Sequence, residues 1–176
     1  VKLMAPGPRK LALTIHVASS VGWLGAVASF LLLAATGLTS TNPQQVRAAY
    51  LAMDLIGWSI IFPLSLASLI SGIIQALGTV WGLFRHYWVL IKLIITTLAT
   101  ALLLLHLQPV SHMAGIASVS DLSATDMTGM RAQLIADAAA AVLALLVTTV
   151  LSLYKPRGIT KYGRTRAGGQ QPVPHS

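Results

Sequence analysis

Four long apolar runs, separated by short polar stretches, organise the 176-residue sequence: about Leu11 to Leu38, about Leu51 to Val80, about Trp88 to Leu107 and about Ala132 to Leu153. Crossing roughly 30 Å of hydrocarbon takes about 20 apolar residues in a helix, so each run is long enough to span a bilayer. The first run exceeds the roughly 7–15 apolar residues of a signal-peptide core, which predicts a retained helix. Asn42-Pro43 reads as an N-cap followed by proline at the first helical position, so the second helix is expected to start ahead of its apolar run with Gln44, Gln45 and Arg47. Pro63 lacks an N–H, releases the carbonyl of Ser59 and predicts a kink within that span. Asp126 is the expected N-cap of the fourth helix, and Tyr154-Lys155-Pro156 its end. The pattern predicts an all-α, four-helix transmembrane bundle over residues 11–154, with a basic segment at 1–10 and a basic, disordered tail at 155–176.

Composition excludes the soluble alternative. Charged residues make up 9% of the chain and apolar ones 55%, with a mean hydropathy of +0.75; a soluble domain carries about 25% charged residues. There are four Asp, no Glu and no Cys, so paired-carboxylate hydrolysis, disulfides and thiolate chemistry have little or nothing to work with. The net charge of +8 does not point to nucleic acid, because the basic residues sit at chain ends and beside the apolar runs, where they face anionic lipid headgroups.

Their distribution predicts orientation. Lys2, Arg9, Lys10, Arg85, Lys92, Lys155, Arg157, Lys161, Arg164 and Arg166 fall on one side, and only Arg47 and Arg131 on the other, which places both termini in the cytoplasm. Trp81, Tyr87, Trp88 and Tyr154 then mark the inner interface, with Tyr50 and Trp58 near the outer one. A reporter fused after Ser176 is expected to be active only in the cytoplasm, and one inserted near Ser120 only outside; the reverse pattern would invert the assignment.

Ionisable residues inside a span are costly and mark candidate function. Depth sorts them into two layers. His16, Arg85, His86 and Lys92 belong to the inner leaflet; Asp54, His106, His112 and Asp137 belong to the outer one. The inner layer is compatible with b-type haem: His16 and His86 as axial imidazoles from two helices, with Arg85, Arg9 and Lys10 near the propionates and Gly22 and Gly25 leaving space for the macrocycle. The bland alternative has His16 donating to a carbonyl of a neighbouring helix and Lys92 snorkelling to the headgroups. The outer layer offers His106 and Asp137 as a proton-relay pair or, with His112, as a metal site. His106 lies about 200° round the helix from His86, so one helix face does not serve both. Small residues at i+4 spacing (Ala18, Gly22 and Ala26; Gly25 and Ser29; Ser68, Gly72 and Ala76; Ala136, Ala140 and Ala144) suggest close helix packing. Nucleotide-loop, dinucleotide-fingerprint, zinc-protease and nucleophile-elbow motifs are missing from the sequence.

The segments LALTIHVASSVGWLGAVASF, GLFRHYWVLIKLIITTLATALLLLHLQPV and LSLYKPRGIT resemble a family of small four-span bacterial membrane proteins, frequent in actinobacteria, whose domain has no assigned activity. The matching positions are His16, Trp23 and Gly25, then Arg85-His86-Tyr87-Trp88, then Tyr154-Lys155-Pro156-Arg157-Gly158. The resemblance implies a multi-pass protein of a bacterial cytoplasmic membrane. A fainter likeness to copper-resistance D-type and cytochrome b561-type membrane proteins rests on a His-bearing helix bundle. Three functions are therefore expected as alternatives. The leading one is a small b-haem or metal-binding protein in electron transfer, using His16 and His86. The second is a cofactor-free accessory subunit packing against a membrane partner or a second copy of itself. The third is a proton or metal-ion permease using His106 and Asp137.

Overall fold

The computed structural model describes residues 4–79, 86–119 and 128–154. Asp126, Arg85, Trp81 and the tail from 155 onward lie outside the described residues. Helix α1 covers Pro6–Thr39, α2 Pro43–Ile56, α3 Phe62–Gly78, α4 Tyr87–Val119 and α5 Thr128–Tyr154; a π-helical turn, Gly57–Ile61, joins α2 to α3 without a break. The outcome is four helices long and apolar enough to cross a membrane. The protein is an integral, multi-pass membrane protein built as a helical bundle.

Helix ends follow local chemistry. Asn42 caps α2 through Oδ1, which accepts from Gln44 N at 2.9 Å, with Pro43 at the first helical position as expected. Helix α1 begins at Pro6, ahead of the apolar run, because a proline there gives up an N–H that has no intrahelical partner anyway. Arg9 and Lys10 thus lie on its first turns.

The kink expected from Pro63 takes a defined form. Pro63 offers no N–H to Ser59, and the chain absorbs the defect one turn earlier, where Phe62 N–H reaches back to the carbonyl of Gly57. Before the bulge the buried positions are Val46, Ala49, Tyr50 and Met53, within it Gly57 and Ile61, and after it Ser65, Ser68, Ser71 and Ala76. The wider turn rephases the helix so that one continuous face stays inside.

Helix α4 runs past the expected limit at Leu107, through Pro109, to Val119. Pro109 costs one backbone bond, which membrane helices tolerate when their neighbours pack well. Val110, Met113, Ala114 and Ala117 recur at helical spacing beyond it and are all buried, and that packing carries the helix on.

Sequential neighbours lie side by side and α5 closes the bundle against α1. Met4 N–H bonds the Gly78 carbonyl at 3.1 Å, and Lys92 Nζ donates to Ser152 Oγ, so the start of α1, the end of α3, the start of α4 and the end of α5 share one end. At the other end Ala34, Val46, Tyr50, Met53, Val110, Met113, Ala117 and Leu134 form a hydrophobic core cluster. Of the small-residue stripes, Ser68 and Ala76 are buried and Gly72 meets His16, whereas Ala18, Gly25, Ser29, Ala136 and Ala140 face outward.

Candidate proton-sharing site

The outer-layer pair predicted on α4 and α5 is brought together. His106 Nε2 lies 2.8 Å from Asp137 Oδ2. The other ring nitrogen, Nδ1, is 2.7 Å from the carbonyl of Leu102, one turn earlier on α4. A carbonyl only accepts, so Nδ1 must carry a proton. If the imidazole were neutral and Asp137 ionised, Nε2 would turn a lone pair toward a carboxylate oxygen, leaving two acceptors in contact. Asp137 Oδ2 is buried and makes no hydrogen bond in the structure, so the 2.8 Å approach is a close contact and not a formed bond; a second proton held by either group, as imidazolium with carboxylate or as imidazole with carboxylic acid, would remove the clash of two acceptors. Both forms hold the same number of protons and the same net charge of zero.

Position in the fold gives the pair its weight. Asp137 lies nine residues into α5 from Thr128, about 13 Å along the helix at 1.5 Å per residue. The side chains are 28% and 35% exposed, so they are neither sealed in the core nor free on a surface. They border a cavity of about 340 Å³ lined by α1, α4, α5 and the π-helical turn, whose other walls include Trp23, Val27, Leu102 and Leu145.

The remaining outer residues are placed elsewhere. His112 is exposed on α4, six residues and about 240° round from His106. Asp54 accepts from Ser111 Oγ at 2.6 Å, and Ser111 Oγ accepts from Trp58 Nε1 at 3.1 Å, which ties α2 and the π-helical turn to α4. Among the described residues no three His, Cys, Asp or Glu side chains gather as a metal cluster.

In the inner layer His16 Nδ1 lies 3.0 Å from the Ser68 carbonyl and 3.1 Å from Ser71 Oγ, and Ser20 Oγ meets Ser68 Oγ at 2.7 Å. Gly72 makes room for the ring: a Cβ there would stand 3.0 Å from His16 Cε1. With Gln75 Nε2 donating to the Ala12 carbonyl at 3.1 Å, these groups form a polar seam between α1 and α3. His86 precedes α4, half-buried, with its ring 6.4 Å from that of Trp88. Lys92 reaches Ser152 on α5 and sits 5.8 Å from the Trp88 ring centre.

Sequence reasoning found the dyad but not its surroundings. Trp23, 2% exposed, had a usable signal: it lies mid-span, away from both interfaces where membrane tryptophans concentrate. The π-helical turn had only Pro63 as a cue, and the partnership of Asp54 with Ser111 had none. No family model, curated protein or solved structure matches the chain.

Proposed function

We propose that this protein is a proton-coupled permease of a bacterial cytoplasmic membrane, with His106 and Asp137 as its proton-holding pair. One observation carries the proposal: Nδ1 is committed to the Leu102 carbonyl while Nε2 faces Asp137 Oδ2 at 2.8 Å. A pair so arranged offers a place for one proton between two groups, at a depth where a bare charge is expensive. The metal-ion variant has less support, because one imidazole and one carboxylate between leucine walls supply too few ligands. The test is liposome flux. Purified protein reconstituted with an entrapped pH dye should dissipate an imposed pH gradient once a counter-moving solute is supplied, and infrared difference spectra should show the Asp137 carboxyl changing with pH. Liposomes that hold their gradient, with no Asp137 signal, would leave a packing role as accessory subunit.

The haem alternative draws less from the geometry, since the His16 ring is held in the α1–α3 seam against Gly72. On this proposal His16→Ala loosens that seam by about 1 kcal/mol, the scale of one interhelical hydrogen bond in a membrane, and protein made with ample haem has no Soret band. A Soret band that vanishes in both His16→Ala and His86→Ala would reinstate bis-imidazole ligation.

A further inference from the structure

The cavity beside the dyad has a chemistry that specifies what the permease carries. Ala138, Ala140, Ala141 and Ala144 of α5 and Leu98 and Leu102 of α4 line the cavity, the alanines with only a methyl group each. Trp23 and Phe30 of α1 also contribute to the wall. Among the described lining residues, His106 and Asp137 alone have ionisable side chains, and the rest are apolar. A ligand suited to such walls at this depth arrives from the lipid and is itself mostly hydrocarbon.

Charge decides the rest. With its shared proton the dyad is neutral. Without that proton it is a neutral imidazole beside a carboxylate, one uncompensated negative charge in an apolar cleft. A single positive charge restores neutrality, and Trp23 and Phe30 in the lining are of the residue type that attracts a desolvated cation. Among the described residues no other charged side chain lines the cleft. Helix α1 and the π-helical turn contribute only apolar groups to the cleft. Arg131 lies over the Tyr50 ring at 5.9 Å, Asp54 is bonded to Ser111, and His112 is exposed elsewhere on α4. We infer that the cleft binds a lipophilic monovalent organic cation in exchange for the proton held between His106 and Asp137. The inference rests on the proton-sharing dyad proposed above. The exchange balances as one cation in and one proton out to water, with no covalent bond in the cation made or broken.

Binding of methyltriphenylphosphonium to the full chain in lipid tests this. Saturable binding is expected, with one proton released per cation and an affinity that falls about tenfold per pH unit where the dyad is protonated. Asp137→Asn should lower binding at least tenfold. Ala140→Phe, at an exposed position that narrows the cleft, should weaken binding while leaving the pH-dependent Asp137 infrared signal in place. The inference is overturned if the uncharged isostere triphenylethane competes equally, if Asp137→Asn binds like wild type, or if binding releases no proton. A dyad that changes with pH but binds no cation also overturns it, and leaves the proton-coupled function standing.

Discussion

Asp137→Asn should reduce proton flux about tenfold to a hundredfold, the factor that corresponds to losing a close charge pair with a coupling of roughly 1.5–3 kcal/mol. The substitution is nearly isosteric and leaves the hydrogen bonds satisfiable. An asparagine N–H can donate to Nε2 while Nδ1 still donates to the Leu102 carbonyl, so the imidazole is content as a neutral ring. What disappears is the exchangeable proton. Insertion and thermal stability should therefore change little, and the loss should appear in flux. His106→Gln should cost a similar amount, and the double variant should be no worse than either single one, because both changes remove the same proton. His106→Ala is a harsher change: it strands a carboxylate in the outer half of the bundle, and should lower the yield of folded protein as well as flux. Liposome flux of the Asn variant equal to wild type would remove Asp137 from the function.

Gly37→Ala should destabilise the bundle by about 1–3 kcal/mol, the usual cost of overpacking a filled core. A Cβ at Gly37 would lie 2.8 Å from Tyr50 Cζ, 2.9 Å from its hydroxyl oxygen and 3.0 Å from Cε2. The ring is rigid and fully buried, and it packs in one cluster with Met53, Met113 and Leu134. It cannot swing aside as the tip of a leucine could. The matched control is Gly25→Ala, where an added Cβ meets nothing within 4 Å. That change should be neutral or stabilising by up to roughly 1 kcal/mol, the helix-propensity gain of alanine over glycine. Denaturation in mixed micelles separates the two; equal stabilities would mean that α1 and α2 do not pack as described.

How much of this was legible in advance depended on whether a feature is set by neighbours in sequence or by neighbours in space. The Asn42 cap was legible because an Asn followed by Pro satisfies the first N–H groups of α2 using residues two apart. The apolar run ends near Leu107 but helix α4 does not, because proline propensity is local, whereas α4 is carried past Pro109 by Val110, Met113 and Ala117 burying themselves in a core cluster. The stripes of small residues were half informative. Gly72 and Ser68 do face α1, but Gly25 and Ala136 point outward, since Ala and Gly are too common in membrane helices for spacing alone to show which side is covered. In the candidate site, His106 and Asp137 stood out as ionisable residues at one depth, and depth is a property of sequence position.

The sequence by itself determined four membrane spans, the side bias of their basic residues and two layers of ionisable groups, because hydrophobicity and charge act on each residue independently of its partners. Only the tertiary structure decided which ionisable residues meet. It joined His106 to Asp137 and left His112 apart, held His16 in a seam between α1 and α3, and gave Asp54 to Ser111. It also opened the cleft beside the dyad, since a void is a difference between surfaces on separate helices: alanines of α5 and leucines of α4 line it together. The rotation of each helix about its axis settles such pairings, and packing against more than one neighbour at once sets that rotation.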